Sequence, residues 1–140
     1  MEKFKFLDIS TADVAFEAYG KTLDELFANS ALAMFEVMVD TSKVEKRMEK
    51  KINVEGEDLE SLMFNWLNEL LYWYGAEGLV FSHFDVKVYR ENFKLEAKVF
   101  GEKIDPERHE VKTEVKAATY HKLKVWNEDG IWKARVILDI

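Results

Sequence analysis

The strongest periodic signal in the chain is an apolar stripe in its middle third. Its members recur three and four positions apart, as on one face of an α-helix, and are Leu59, Leu62, Met63, Trp66, Leu67, Leu70, Leu71 and Tyr74. The acidic pair Glu57-Asp58 precedes the stripe, where it opposes the positive end of a helix dipole. Gly75 and Gly78 follow it as stop signals. The pattern therefore predicts a long, central helix.

Three aromatic residues fall outside this stripe and widen the apolar face of the predicted helix. They are Phe64, Tyr72 and Trp73. Burial on two sides, between helix and sheet, is the favoured interpretation. An exposed surface that binds a partner is the alternative.

A second helix is predicted nearer the amino terminus. Thr22-Leu23-Asp24-Glu25 matches a capping box, in which the threonine hydroxyl accepts from the third helical amide and the glutamate reaches back to the cap amide. Apolar residues continue at helical spacing as far as Met38. We expect this helix to bury one face against a sheet.

Elsewhere apolar and polar residues alternate, which is typical of β-strands. The alternation predicts two opening strands, a charged edge strand within residues 44–54, and two late hairpins that turn at residues 91–92 and 127–130. Helices grouped early and strands grouped late indicate an α+β fold. We expect a two-layer sandwich of two amphipathic helices on a mainly antiparallel sheet, folded as a single domain over residues 1–140.

Composition narrows the classes of function. The chain has 20 Lys and Arg against 27 Asp and Glu, a formal net charge of −7, so we expect no direct stable nucleic-acid binding. It has no cysteine, which excludes disulfides, thiolate zinc sites and thiol nucleophiles. No apolar run has the length of a membrane span or a secretory leader, so a cytoplasmic protein is expected.

The closing hairpin carries the main candidate for a binding site. Asp139 precedes Ile140, where the sequence stops, and this places a side-chain carboxylate beside the terminal α-carboxylate. Two hard oxygen donors suit a cation, and Asp13 is the best candidate for a third ligand. Spacing alone favours a simpler alternative, in which the aspartates are solvated and the nearby cations Lys133 and Arg135 form ion pairs.

Other residues that could carry chemistry have simpler explanations. His121 is expected to face inward on a strand as a hydrogen-bonded histidine, with general-base catalysis as the alternative. His83 and His109 are expected in loops, without the spacing of metal ligands. Ser10 and Thr11 suit turn capping better than nucleophilic catalysis.

Several runs, taken in order and spacing over nearly the whole chain, resemble the archease family. They are Thr11–Asp13, Gly20–Phe27, Asp58–Leu71, Glu114–His121 and Val136–Ile140. The run Glu114–His121, which reads EVKAATYH, is the most specific. The resemblance implies an accessory factor of the RtcB-type RNA ligase, which joins tRNA exon halves after intron removal. Such a factor promotes the GTP-dependent guanylylation of the ligase and its multiple turnover, and is not itself an enzyme.

The resemblance also implies a site. Asp13, Asp139 and Ile140 match the family's metal ligands, with calcium as the expected cation and magnesium or manganese as alternatives. Lys116 matches a position linked to activation of the ligase, as do Asp13 and Asp139, while His121 is a weaker match. From the residues alone, Lys116 is undistinguished and could simply pair with a neighbouring glutamate.

Two positions depart from the family pattern. Ser10 stands where the family commonly has histidine, and Ala15 stands where it has glycine. A role for that histidine is therefore not expected here, and the backbone after Asp13 is less free to approach a partner.

Two functions from other classes remain open. One is a small metal-dependent hydrolase that uses Asp13, Asp139 and His121. The other is a general protein chaperone that presents the aromatic residues Phe64 and Tyr72, with Trp73 beside them, to unfolded clients. Turnover by the purified protein alone would indicate the first, and suppression of aggregation of unrelated proteins would indicate the second.

Overall fold

The computed structural model describes residues 1–9 and 11–140, and in this part of the chain eight β-strands and two α-helices are formed. In chain order they are β1 Phe4–Ile9, β2 Asp13–Gly20, α1 Leu23–Met38, β3 Met48–Glu55, α2 Leu59–Glu77, β4 Leu79–Tyr89, β5 Lys94–Lys103, β6 Ala117–Ala118, β7 Lys124–Glu128 and β8 Ile131–Asp139. The prediction of an α+β fold with two helices and antiparallel strands is confirmed.

The strands divide between two antiparallel sheets. The five-stranded sheet has the order β1-β2-β8-β6, and β7 also pairs with β8; the three-stranded sheet has the order β3-β5-β4. The charged strand β3 lies at an edge, as its composition predicted. Alternation within a strand reports which residues share a face but not which strand is the partner, so the sequence did not reveal this division.

The more buried helix is α1, although the stripe of α2 is the more regular. Helix α1 packs against β4 of one sheet and β2 of the other, and both of its flanks are therefore covered. Ser30, Ala31 and Ala33 are fully buried, and their small side chains let the two sheets approach closely. The Ser30 hydroxyl donates to the carbonyl of Leu26 at 2.8 Å, which satisfies it. The expectation that α2 is the central helix was wrong, whereas α1 does bury its apolar face and leaves Asp24 and Glu25 exposed, as predicted.

Both helices begin with side-chain caps. Thr22 Oγ1 accepts from the amide of Glu25 at 3.1 Å, as predicted, but Glu25 Oε1 accepts from the amide of Lys21 rather than of Thr22. In α2 a full capping box joins Asp58 and Ser61: each side chain accepts from the other residue's amide, at 2.7 and 3.1 Å. These contacts satisfy amides that have no partner within a helix.

The aromatic residues on the flank of α2 are mostly packed. Phe64 stacks on Tyr120 with 4.2 Å between ring centroids, and Trp73 is half-buried with Lys50 Nζ 3.5 Å from its ring centroid. Tyr72 remains 60% exposed. Phe64 and Trp73 are half-buried and Tyr72 is exposed, so the favoured interpretation of burial on two sides holds only in part.

His121 lies in an exposed turn, and the prediction that it faces inward was wrong. The turn is closed by a hydrogen bond from the amide of Leu123 to the carbonyl of Tyr120 at 3.1 Å, and Lys122 has a φ of 55°. Strand β7 begins only at Lys124. The prediction had continued the alternation of inward and outward residues through a turn, and a turn changes which residues face inward.

Of the other two histidines, His83 differs from the prediction and His109 agrees with it. His83 lies on β4 with its side chain exposed, rather than in a loop. His109 does lie in a loop but is 2% exposed, with its Nε2 3.0 Å from Glu102 Oε2. Helices long and apolar enough to cross a bilayer are absent from the described part of the chain.

Candidate functional site

Asp13 and Asp139 are directly paired across β2 and β8. Directly opposed residues of an antiparallel pair project from the same face, with Cβ atoms about 4.5–5.5 Å apart. Both residues are exposed. The fold thus brings together the two carboxylates that the sequence places at opposite ends of the chain.

Main-chain hydrogen bonds tie two further segments to this point. The amide of Ile140 donates to the carbonyl of Ala12 at 3.1 Å, and the amide of Lys116 donates to the carbonyl of Asp139 at 2.8 Å. The Lys116 side chain is exposed. The predicted site residues other than His121 therefore meet at one end of the five-stranded sheet. We call this group the carboxylate tip, and it consists of Asp13, Lys116, Asp139 and Ile140.

Asn68 of α2 holds β6, the strand next to the tip, through its main chain. Its Oδ1 accepts from the amide of Ala118 at 3.0 Å and its Nδ2 donates to the carbonyl of Ala118 at 3.1 Å. A strand as short as β6 has little stability of its own, so this amide fixes the segment that contains Lys116. Sequence reasoning missed Asn68, although an amide between the apolar residues Leu67 and Leu70 was the available signal.

An ion pair between a buried carboxylate and a partly exposed arginine lies on the same face, four residues along each strand. Arg135 Nη2 is 3.3 Å from Glu17 Oε2, and the Tyr19 hydroxyl donates to Glu17 Oε1 at 3.0 Å. Burial, reinforced by the Glu17 carboxylate, raises the pKa of Tyr19 to about 12. Lys133 Nζ pairs with Glu128 Oε1 at 3.2 Å. The two cations expected near Asp139 are thus engaged by glutamates.

The donor set at the tip suits a hard cation. Asp13 and Asp139 supply carboxylate oxygens, and the main-chain oxygen of Ile140 is adjacent, which is the ligand type of Ca²⁺ and Mg²⁺. Within residues 1–9 and 11–140, no three His, Asp or Glu side chains cluster as metal ligands. His121 accordingly does not join the two aspartates, as the hydrolase alternative required.

The departures from the family pattern have different outcomes. Ala15 lies in the regular part of β2, opposite Ile137, where the backbone conformation does not require glycine. Thr11 is exposed. Ser10 lies outside the described residues.

A second charged cluster anchors the loop after β5, and no pattern in the sequence predicted it. Glu102 is 4% exposed and is bonded by Arg108, by His109 Nε2 and by the amide of Glu45 at 2.6 Å. The hydrogen bonds from Arg108 are the main reason that the pKa of Glu102 is lowered to about 2. The amide of Asp105 donates to His109 Nδ1 at 2.9 Å. These contacts satisfy the buried carboxylate, and the cluster serves to hold the loop.

Comparison with known proteins gives a consistent result along the chain. The model of the Archease protein family (MTH1598/TM1083) matches residues 4–140. A Protein archease of Pyrococcus furiosus is 51% identical over 133 residues, which cover 93% of this chain and 94% of the relative. A Protein archease of Sulfurisphaera tokodaii is 44% identical over 140 residues and is covered completely, as is this chain.

Solved structures show the same relationship. The solution structure of Methanobacterium thermoautotrophicum Protein 1598 has a TM-score of 0.87 and 47% identity, with 100% of both chains covered. The crystal structure of a Thermotoga maritima protein, described as an archease and possible chaperone, has a TM-score of 0.64 and 25% identity over 94% of this chain and 93% of the other. The chain belongs to the archease family.

Proposed function

We propose that the protein activates an RtcB-type RNA ligase by promoting its GTP-dependent guanylylation, and so sustains multiple turnover in tRNA splicing in the cytoplasm. The observation that carries the proposal is the direct pairing of Asp13 with Asp139 at the exposed carboxylate tip. Membership of the archease family supports an accessory role.

The tip would hold a divalent cation. Asp13 and Asp139 would bind it through their carboxylates, and Ile140 through its main-chain oxygen. Calcium is the first candidate, with magnesium and manganese as alternatives. Two like charges that face each other across strands repel, so a cation between them would also stabilise the sheet end. When bound, it would supply a positive charge that could organise phosphate or carboxylate groups of the ligase.

The protein's own residues would position this charge. Asp139 is held on both sides, because β8 pairs with β2 and with β6. Asn68 fixes β6, and with it the backbone of Lys116. A rigid tip of this kind could enter a concave active site and help to place a divalent ion or to reorder its ligands, while Lys116 contacts an anionic group nearby.

The test is RNA ligation by the cognate ligase with GTP and divalent metal, in which guanylylated ligase and product beyond one turnover are measured. Asp13→Asn and Asp139→Asn should lower activation about tenfold or more, as loss of a metal-site contact does elsewhere. Asp129→Asn is the matched control: Asp129 is exposed in the β7–β8 turn with a φ of 53°, which asparagine tolerates. Activation by both tip variants at the wild-type level, with unchanged stability, would refute the proposal.

A protein of this sequence that ends at Ile140 allows a separate test of the chain end. A variant extended by two glycines converts the α-carboxylate into an amide and should weaken activation, while Asp13 and Asp139 stay intact. Calcium binding, measured by calorimetry, should weaken in parallel. Unchanged calcium affinity would show that the charge of the terminal carboxylate is not needed, and would leave the main-chain oxygen of Ile140 as its only ligand atom.

A general chaperone role has less support. Phe64 and Trp73 are packed against Tyr120 and Lys50, which leaves Tyr72 as the exposed member of the three. The two functions are separable, because only a general chaperone would suppress aggregation of unrelated proteins without the ligase.

A further inference from the structure

The outer face of the five-stranded sheet, on the side away from the helices, concentrates basic residues. Buried residues such as Phe16, Val125 and Val136 point to the core, and the alternate residues therefore point outward. We call the basic outward residues the cationic face: Lys3, Lys5, Lys124, Lys133 and Arg135. Among the elements that the structure describes, the helices α1 and α2 alone pack on this sheet.

Strand register arranges this face in two rows. The first row runs across four strands as Lys5, Glu17, Arg135 and Lys124, each directly opposite the next. The second row runs Tyr19, Lys133 and Trp126. The rows lie about 7 Å apart along the strands.

Two acidic residues beside the rows, Glu17 and Glu128, are engaged in internal contacts, while Asp13 and Asp139 lie at the far end of the same face. Glu17 is 9% exposed and is bonded by Arg135 and Tyr19. Glu128 is paired with Lys133, and Glu2 lies near enough to Tyr19 to influence its hydroxyl. Lys3, Lys5 and Lys124 are exposed. Around the two rows the five cations therefore outnumber Glu2, Glu17 and Glu128, whereas Asp13 and Asp139 make the other end of the face negative and the chain as a whole has a net charge of −7.

An aromatic ring lies among these cations. Trp126 is half-buried, with Lys124 Nζ 4.7 Å and Arg135 Cζ 5.7 Å from its ring centroid. Its Nε1 donates to Glu128 Oε1 at 3.2 Å, which orients the indole. Aromatic rings flanked by cations are the recurrent platform for unpaired bases, because the ring stacks on the base while the cations neutralise the neighbouring phosphates.

We propose that the cationic face binds single-stranded nucleic acid, with phosphates on Lys5, Lys124 and Arg135 and a base stacked on Trp126. A duplex does not offer unpaired bases to the ring, and an acidic peptide would use the charges without the stacking. This inference does not depend on activation of a ligase. It differs from the expectation of no stable nucleic-acid binding, which was drawn from net charge. Net charge averages over the whole chain, whereas the sheet places charges of opposite sign in different regions.

The face is continuous with the carboxylate tip. Arg135 and Asp139 lie on the same side of β8, four residues or about 13 Å apart. The rows run across the β-strands, so a nucleic acid bound along them would pass about 13 Å from Asp139 and would end beyond β1 and β7.

The test is fluorescence anisotropy with a labelled single-stranded RNA of roughly ten nucleotides, a hairpin duplex of the same composition, and a polyglutamate peptide. The single strand should bind most tightly. If three phosphates are neutralised, its affinity should fall about 20-fold between about 50 and 200 mM salt. Tighter binding of the polyglutamate peptide would assign the face to an acidic protein partner and overturn the proposal, as would equal binding of the duplex.

Variants locate the binding on the face. Trp126→Leu should lower the affinity for the single strand about tenfold, while Trp126→Phe should retain most of it. The double variant Lys5→Gln/Lys124→Gln should weaken binding and flatten the salt dependence without touching the aromatic ring. The matched control is Lys51→Gln/Lys98→Gln, two exposed lysines paired directly on the three-stranded sheet. Equal losses in the control, or no binding by the wild-type protein, would overturn the proposal.

Discussion

Glu17 on β2 lies directly opposite Arg135 on β8, and the same register pairs Asp13 with Asp139. A slip of one residue would send the two aspartates to opposite faces, because side chains alternate along a strand. The ion pair at 3.3 Å is therefore part of what fixes the geometry of the carboxylate tip.

Replacing Arg135 should destabilise the fold through Glu17. Arg135→Met leaves the nearly buried Glu17 carboxylate without its cation, and we expect a loss of about 1–3 kcal/mol of unfolding free energy, reduced because Arg135 is partly exposed. Glu17→Gln should cost less, since the amide oxygen still accepts from Tyr19. The double variant should cost less than the sum of the two. Urea unfolding measures all three, and additive effects would show that the pair is not coupled.

Asn68 should be needed for the order of β6. Asn68→Leu leaves the amide and the carbonyl of Ala118 without partners, and we expect a loss of about 2–3 kcal/mol. Asn68→Asp keeps the acceptor for the amide but loses the donor to the carbonyl, so its effect should be intermediate. Hydrogen exchange at Ala118 provides the local measurement. The control is Asn65→Ala, since Asn65 bonds the carbonyl of Glu55 from an exposed position away from the tip; equal exchange rates at Ala118 in all three variants would contradict the assignment.

The sequence predicted the helices and strands well, but it did not predict which strands pair with each other. Local spacing was sufficient for both helices and for the cap at Thr22, because these depend on residues a few positions apart. Residue type made Asp13 a candidate partner of Asp139, but spacing alone favoured two separate, solvated aspartates, and only the family resemblance favoured their meeting. Their meeting depends on the pairing of β2 with β8. These two strands are separated by most of the chain, and no local sequence pattern indicates that they pair.

The other wrong or missing predictions have the same cause, which is that local spacing does not show turns or contacts between distant segments. His121 was assigned an inward direction by extending a period of two through a turn that only the positive φ of Lys122 reveals. Glu102 and His109 meet through the return of a loop onto β5, and no spacing rule predicts that contact. Net charge likewise described the whole chain correctly, while the register of β1, β2, β8 and β7 placed five of the 20 basic residues on one face.

Replacing two of the glycines by alanine should change the stability of the protein in opposite directions. A Cβ at Gly101 would lie 1.9 Å from the carbonyl oxygen of Val80 on the neighbouring strand, beside the irregularity between Phe81 and His83. Because the obstacle is backbone, Gly101→Ala should cost about 3 kcal/mol or more. A Cβ at Gly75, in α2, would meet nothing within 4 Å, and Gly75→Ala should stabilise the protein by about 0.5–1 kcal/mol. Thermal and urea unfolding measure both, and a soluble Gly101→Ala protein of wild-type stability would contradict the first.

The buried Glu102 should make stability depend on acid pH. Its pKa in the folded protein is lowered from 4.5 to about 2, chiefly by hydrogen bonds from Arg108. A carboxyl whose folded pKa is depressed stabilises the fold above its unfolded pKa, and this contribution is lost as the pH falls from about 4.5 towards 2. Glu102→Gln keeps the size of the side chain and removes the charge, so it should be less stable than the wild type at pH 7, and the difference should shrink steadily below pH 4.5. Urea unfolding of both proteins across this range measures the difference, with Glu49→Gln on the exposed part of β3 as the control. A difference that is constant with pH would show that Glu102 stabilises the loop through packing and not through its charge.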